Sequence, residues 1–319
     1  MIDPIYFGCD AKLDLKTLKQ ALGKINELKL SENHGVLSFS NKMFGTTDTV
    51  YQFCSDYRLF VEASYYHCAN DLMSSKINPT DTFLNIGFPA GMDKRDISNI
   101  FEITDLFLNN NNINLINAHS YKSDTLCITW SLIGESTQEL KPLLIDEEYL
   151  IIQVKKLGLS QTLREIELSR KTSQKDFYEK FKASAGKAVL NINKSLYCGS
   201  TDISGFGLYH NLDLMSKLLD RSIELYLNRV IYYEDLHTVI DDTIASCSVT
   251  QNYRDFEEDY EFTTMKKQIL FGGEVNGPIL IVVNEKESKT ILKSLHHEID
   301  AEIIGRITKE SVPKVIIKE

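Results

Sequence analysis

A strict alternation of apolar and polar side chains from residue 125 to residue 132 constrains the fold of this chain more than any other sequence feature. The apolar positions are Leu126, Ile128, Trp130 and Leu132, with Cys, Thr and Ser between them. Because successive side chains of a strand point to opposite faces of its sheet, the pattern predicts a strand with one buried face. Such a strand requires neighbouring strands and a second layer that covers the apolar face.

Helical and extended patterns alternate around this strand. Apolar spacing predicts helices over residues 15–25, 58–75 and 97–107, and short apolar runs predict strands over 36–39, 82–88 and 115–116. A four-Asn run at 109–112 indicates a surface turn. Residues 30–135 therefore favour an α/β or α+β layer.

The same alternation restarts after a polar stretch at residues 134–138. Strands are predicted at 149–154, 223–227, 279–283, 301–307 and 314–317, and helices at 161–170, 174–187, 211–219 and 288–295. A chain of 319 residues is long enough for two domains. We predict an α/β (α+β) protein with an N-terminal domain over 1–140 and a C-terminal domain over 141–319.

Net charge limits the classes of partner. The chain has 35 Lys and Arg against 45 Asp and Glu, a formal charge of -10. An acidic surface repels phosphate backbones, so we expect no nucleic-acid binding, whereas a nucleotide bound with Mg²⁺ is compatible with this charge. No apolar run approaches the ~18 residues that cross a bilayer, and no basic segment precedes an apolar one at the N-terminus. We expect no membrane span, no signal peptide and a cytoplasmic location, with the six scattered cysteines as free thiols.

Residues 199–207 combine small side chains and glycines ahead of a predicted helix. Such segments suit close approach of an anion to the backbone, and Asp202 could offer a carboxylate to a metal that bridges phosphates. An ordinary tight turn explains the same composition, and the spacing alone does not decide between the two.

Two further carboxylates are candidate metal ligands. Asp71 shares a helix face with His67, four residues earlier, although a solvent-facing position near the helix end is the alternative. Asp48 follows a predicted short strand and is equally suited to a turn. Because Mg²⁺ prefers oxygen ligands, Asp48, Asp71 and Asp202 could converge on such an ion.

A possible nucleophile lies near the N-terminus, where Cys9 and Lys12 are three residues apart. A lysine near a cysteine lowers the pKa of the thiol and favours the nucleophilic thiolate. The alternative is a flexible terminus that carries an incidental thiol.

Several segments together resemble selenophosphate synthetase (selenide, water dikinase). Residues 201–208 read TDISGFGL and resemble the T-D-[VI]-[TS]-G-F-G-L signature of that family. Residues 8–12 read GCDAK and resemble its N-terminal loop, in which a Cys or selenocysteine precedes an essential Lys by three positions. The remaining matches follow in the family's order over nearly the whole chain: Thr46-Thr47-Asp48, Asn70-Asp71, His119-Ser120, Leu280–Val283 and Ile303-Ile304-Gly305.

The resemblance implies an AIR-synthase-like (PurM-like) architecture with two α/β domains, paired into a homodimer through the N-terminal domains. It implies that ATP and Mg²⁺ bind in an acidic cleft and that the γ-phosphoryl group passes to selenide, after which ADP is hydrolysed to AMP and phosphate. The implied metal ligands are Asp48, Asp71 and Asp202. The implied catalytic residues are Cys9 and Lys12. The implied nucleotide contacts are Lys12, Asp48, His119, Ser120, Thr201 and Gly205.

Three segments depart from the family pattern. The acidic pair expected before the first strand is Asn33-His34-Gly35, and the glycine pair expected before His119 is Asn117-Ala118. The expected D-P-Q-T-S-G-G motif reads GGEVNGP at residues 272–278. Loss of one carboxylate should weaken Mg²⁺ binding, unless Asp14, Glu32 or Glu274 replaces it.

Three functions are therefore compatible with the sequence. The first is a divergent selenophosphate synthetase. The second is another ATP-dependent kinase or synthetase of the superfamily, acting on a different small molecule. The third is a catalytically impaired homologue that acts as a binding or regulatory subunit.

Overall fold

A computed structural model describes residues 35–36, 43–136, 147–163, 175–193, 196, 198–233, 247–254, 256, 261–310 and 312–319. These residues form two β-sheets with helices packed against them, which confirms the predicted α/β (α+β) class. None of the helices in these ranges is long and apolar enough to cross a membrane. The helix predicted at 15–25 lies outside the described residues.

The first sheet belongs to the N-terminal half of the chain and has the strand order β1-β2-β5-β3-β4. Its strands are β1 (Gly35–Val36), β2 (Met43–Tyr51), β3 (Asn78–Pro89), β4 (Asn114–Ser123) and β5 (Cys127–Glu135). Neighbouring strands are antiparallel except for β3 and β4, which are parallel. The predicted strand with alternating apolar and polar residues is β5, where Ile128, Trp130 and Leu132 are buried on one face. That prediction is confirmed.

Two helices cover the apolar face of this sheet. They are α1 (Tyr57–Ser74), with Asp56 as its N-cap, and α2 (Lys94–Asn110). Trp130 of β5 donates from its indole nitrogen to Ser64 of α1 at 3.0 Å, and its ring contacts Tyr65 edge-on with 5.4 Å between ring centroids. Most of α1 is buried because α1 also contacts helices and strands of the C-terminal half.

Strand β4 differs from the sequence-based prediction. The predicted strand at 115–116 is only part of β4, which continues through Asn117–Ser120 and pairs with β3. All of them are exposed. Polar side chains at the edge of a sheet remain in solvent and cost no burial energy. Backbone pairing therefore determines the extent of this strand, and a hydrophobic pattern does not predict it.

The second sheet belongs to the C-terminal half and has the order β11-β8-β10-β6-β9-β7. Its strands are β6 (Tyr149–Val154), β7 (Gly199–Asp202), β8 (Ile223–Tyr226), β9 (Ile279–Asn284), β10 (Ala301–Ile307) and β11 (Val315–Lys318). Part of the loop predicted at 199–207 is therefore an edge strand. Both faces of β6 are buried, since Ile151 and Ile152 belong to two different hydrophobic clusters.

Helices lie on both sides of this second sheet. They are α3 (Lys175–Lys182), α4 (Ala185–Asn191), α5 (Gly207–Leu219), α6 (Cys247–Arg254), α7 (Thr264–Phe271) and α8 (Glu285–Leu295). The single helix expected over 174–187 is instead α3 and α4. The break occurs because Ser184 adopts an extended conformation and caps α4, its side chain accepting a hydrogen bond from the Lys187 amide.

Candidate functional site

Polar residues occupy one face of the central helix α1. His67, Asn70, Asp71 and Ser74 are three or four residues apart and therefore share that face. Three of them are buried and Asp71 is half-buried. Buried polar groups require hydrogen-bond partners, and here the partners come from β2, from β7 and from residues 276–277.

Asp48 and Asp71 lie in the same interface between α1 and β2. Thr46 of β2 donates from Oγ1 to Asp71 Oδ2 at 2.6 Å, and His67 Nε2 lies 3.0 Å from Asp48 Oδ2. Because Thr46 and Asp48 are two residues apart in a strand, their side chains point to the same face of the sheet. The structure thus brings together two of the three predicted metal ligands.

The position of Asp48 corrects one expectation. Asp48 is not a turn residue after a short strand but lies inside β2, opposite Trp130 of β5. The β-branched residues around it, Thr46, Thr47, Thr49 and Val50, favour extended structure and pair with β5 over the whole length of the strand.

Asp202 is the last residue of β7 and is 4% exposed. Ser200, two residues earlier, donates from its hydroxyl to the Ser74 carbonyl of α1 at 2.5 Å. By strand alternation, Asp202 therefore lies on the side of β7 that faces α1. Within the described ranges, no three His, Cys, Asp or Glu side chains approach closely enough to hold one metal ion.

His119 and Ser120 lie apart from the aspartates. Both are exposed on β4, at the opposite side of the sheet from β2. Strands β5 and β3 intervene, so the β2 and β4 backbones are roughly 14 Å apart. Within one chain, the structure does not bring this predicted pair to Asp48.

The glycine-containing segment after β7 is closely packed. The Gly205 carbonyl accepts a hydrogen bond from Asn252 Nδ2 at 2.9 Å, and Thr201 is half-buried in β7. Gly207 has φ +73°, and a Cβ there would lie 2.8 Å from the Phe271 carbonyl carbon. Residue 207 must therefore be glycine, because of its left-handed backbone conformation and because the Phe271 backbone lies so close. This requirement agrees with a tight turn in this segment.

The proposed nucleophile and its neighbouring lysine, Cys9 and Lys12, lie outside the described residues. The same is true of Asp14, Glu32 and the substituted pair Asn33-His34. The roles predicted for these residues therefore stay predictions.

Asn276 was not recognised as a site residue from the sequence. It is fully buried at φ 52°. Its backbone N–H donates to His67 Nδ1 at 3.4 Å, its Nδ2 donates to the Phe181 carbonyl at 2.7 Å, and its Oδ1 accepts from Asn70 at 3.4 Å. Asn tolerates the left-handed conformation better than most residues, and this was the available sequence signal in the altered 272–278 segment.

Glu274 serves a structural role in the same segment. It is buried, Oε1 accepts the Gly158 N–H at 2.6 Å, and Oε2 accepts the Ser160 N–H at 3.2 Å. A carboxylate at this point stabilises the start of the helical residues 159–163. Burial raises the pKa of Glu274 to about 7. Because Glu274 is 1% exposed and its carboxylate binds the backbone of residues 158–160 in the interior, it does not replace the carboxylate that the family pattern implies.

Lys155 completes this buried network. Its Nζ donates to the Asn276 carbonyl at 2.6 Å and to the Phe181 carbonyl at 3.4 Å. Burial of the ammonium group lowers the pKa of Lys155 to about 7, and the negative charge of Glu274 opposes that shift. The lysine and the glutamate thus hold segment 272–278 from inside the protein.

This lysine should make stability depend on pH. Its folded-state pKa of about 7 lies below the ordinary 10.5, so between those values the unfolded chain binds a proton that the folded chain does not. Stability rises with pH wherever the unfolded state binds more protons. Relative to Lys155→Met, the wild-type protein should therefore gain up to about 1.4 kcal/mol of unfolding free energy per pH unit from about pH 7 to 10.5.

Urea denaturation of both proteins across this pH range measures the effect. The matched control is Lys156→Met, which changes the adjacent, partly exposed lysine beside Asp300. Identical pH profiles for wild type and Lys155→Met would contradict the assignment of a neutral-pH titration to Lys155.

Comparison with known proteins identifies the family and the fold. Residues 154–318 match the model for AIR synthase related protein, C-terminal domain. Over 119 residues, the chain is 27% identical to selenide, water dikinase from Campylobacter jejuni (strain RM1221), an alignment of 37% of this chain and 34% of that protein. The chain thus aligns with about a third of the length of this curated relative.

Solved structures resemble the whole chain at low identity. A thiamine monophosphate kinase (ThiL) from Aquifex aeolicus superposes with a TM-score of 0.70 at 15% identity, covering 95% of this chain and 96% of that one. The HypE-HypF complex gives 0.69 at 13% identity, covering 94% and 95%. AaThiL complexed with AMPPCP and TMP gives 0.66 at 14% identity, covering 95% and 91%.

These likenesses confirm the AIR-synthase-like (PurM-like) fold. Relatives with this fold include ATP-dependent enzymes, namely a dikinase and a kinase, and one of them binds the ATP analogue AMPPCP. The family model matches more than half of the 319 residues, and the chain therefore belongs to the AIR synthase related proteins.

Proposed function

We propose that this protein is an ATP-dependent, Mg²⁺-dependent phosphotransferase that carries out the reaction of a divergent selenophosphate synthetase. The observation that carries the proposal is the placement of Asp48 and Asp71 together at the α1–β2 interface of an AIR synthase related fold. The TDISGFGL segment and the partial identity to a selenide, water dikinase favour selenide as the acceptor.

The donor set fits Mg²⁺. This ion is usually bound by one or two carboxylates together with substrate phosphates, so a ready-made group of three protein ligands is not required. Asp48 and Asp71 would hold the ion, with Asp202 as the third carboxylate on the α1 side of β7. When bound, the ion would offset the negative charge of the triphosphate.

The chain's own residues would orient these ligands and the substrates. Thr46 holds one oxygen of Asp71, which fixes the direction of that carboxylate. In this proposal Lys12 contacts the ATP phosphates and Cys9 handles the selenide, while Thr201 and Gly205 contact the nucleotide.

The proposal includes a homodimer. The far-edge position of His119 and Ser120 means that they contact a nucleotide at Asp48 only if a second copy of the chain brings them there. Light scattering should then give twice the 36.4 kDa mass of one chain. A monomer at micromolar concentration would remove His119 and Ser120 from the proposed site.

ATP turnover to AMP, measured with Mg²⁺ in the presence and absence of selenide, tests the function. We expect selenide to stimulate AMP formation and Cys9→Ala to abolish the stimulation, because the thiol is the proposed selenide-handling group. Cys198→Ala, at a half-buried cysteine of the second half, is the matched control. If selenide does not change the rate of ATP turnover and Cys9→Ala has no effect on it, selenide is not the acceptor.

Two alternatives have their own support. Superposition with ThiL over 95% of this chain favours a kinase that acts on another small molecule. A screen of small-molecule acceptors by phosphate release would identify such a kinase, and its ATP turnover should not change in Cys9→Ala. Glu274 and Asn276 make hydrogen bonds inside the protein, which favours a non-catalytic binding subunit. Calorimetry that detects no Mg–ATP binding would support this second alternative.

A further inference from the structure

His67 connects the α1–β2 interface to the C-terminal half through both of its ring nitrogens. Its Nε2 lies 3.0 Å from Asp48 Oδ2, and its Nδ1 accepts the backbone N–H of Asn276 at 3.4 Å. The side chain is 1% exposed, so both contacts are made in the protein interior.

These contacts determine which nitrogen of the neutral ring carries the proton. A backbone N–H group can only donate, so Nδ1 facing Asn276 must be the acceptor. The ring proton then resides on Nε2 and points at Asp48. A histidine in this state donates to the carboxylate and fixes its orientation.

Asn276 makes several hydrogen bonds within the C-terminal half. Its carbonyl accepts from Lys155 Nζ at 2.6 Å, and its side chain donates to the Phe181 and Ala183 carbonyls at 2.7 and 3.3 Å. Nδ1 of His67 therefore contacts a backbone position of the C-terminal half that several hydrogen bonds hold, while Nε2 faces Asp48 of β2.

We propose that His67 is a positioning residue: its Nε2 holds the Asp48 carboxylate in the orientation needed for Mg–ATP, and its separate contact with Asn276 contributes to the stability of the interface. This inference rests on the proposed function, since it assigns Asp48 to the metal–nucleotide site. Groups that orient a metal ligand typically contribute about 10–100-fold to metal affinity.

Two substitutions separate the two contacts of the ring. In His67→Asn, the amide oxygen lies near the position of Nδ1 and can accept from Asn276, but the side chain is too short to reach Asp48. In His67→Gln, the longer side chain can donate to Asp48 but leaves the Asn276 N–H without its acceptor. A role limited to packing predicts no such division.

Calorimetry of Mg–ATP binding and thermal denaturation of each variant provide the test. We expect His67→Asn to bind Mg–ATP about tenfold more weakly and His67→Gln to bind it normally, although both variants should have a lower melting temperature. His210→Asn is the control, because His210 is also buried but bonds to the Asn252 carbonyl in the C-terminal half. That variant should lose stability and keep its affinity.

Equal affinities for His67→Asn and wild type would overturn the positioning role and leave the proposed function standing. Equal losses of affinity in His67→Asn and His67→Gln would also overturn it. A wild-type protein that binds no Mg–ATP would instead overturn the proposed function itself, and this inference with it.

Discussion

Replacing Asp71 with Asn is expected to weaken Mg–ATP binding by about 100-fold while the protein remains folded. The substitution removes a negative charge from the proposed metal site. It retains an oxygen that can accept from Thr46, which donates to Asp71 at 2.6 Å in the native protein. Loss of a group that only orients a metal ligand lowers metal affinity about 10–100-fold. Loss of the ligating charge itself should therefore lower the affinity by about 100-fold or more.

Calorimetric titration with ATP in the presence of Mg²⁺ measures this effect, with circular dichroism to confirm folding. Asp105→Asn is the matched control, because it makes the same charge change on the exposed side of α2, where Asp105 accepts from Asn109. If Asp71→Asn and Asp105→Asn bind Mg–ATP equally well, Asp71 is not a metal ligand.

Replacing Asn276 with Ala should lower the free energy of unfolding by about 2–4 kcal/mol. The change removes the 2.7 Å donor of the buried Phe181 carbonyl, which keeps only the 3.4 Å contact with Lys155, and such a loss costs about 1–3 kcal/mol. Alanine at φ 52° adds about 1 kcal/mol of backbone strain.

Urea denaturation of Asn276→Ala and Asn276→Gly separates these two causes. Glycine adopts the left-handed conformation without strain, so Asn276→Gly should lose the side-chain hydrogen bonds alone and be about 1 kcal/mol more stable than the alanine variant. Wild-type stability for Asn276→Ala would show that these side-chain hydrogen bonds do not stabilise the fold.

The polar residues show where prediction from sequence reached its limit. The common helix face of His67 and Asp71 followed directly from their spacing, because residues four apart on a helix are neighbours. Asp48 lies inside β2 rather than after a strand, because the polar residues Thr46, Thr47 and Thr49 around it interrupt the hydrophobic alternation that indicates a strand. Asp48 and Asp71 both make contacts in the α1–β2 interface, whereas His119 and Ser120 lie on β4, which two strands separate from β2.

Sequence periodicity was enough to predict the layered α/β class and elements such as β5 and α2, because alternation and helical spacing are local consequences of burying one face. Tertiary structure alone decided how the polar residues meet. His67 and Asn276 are 209 residues apart in the chain, yet the proton of the imidazole is placed by the contact between them. Such a contact arises from the packing of α1 against the C-terminal half, and no local pattern encodes it.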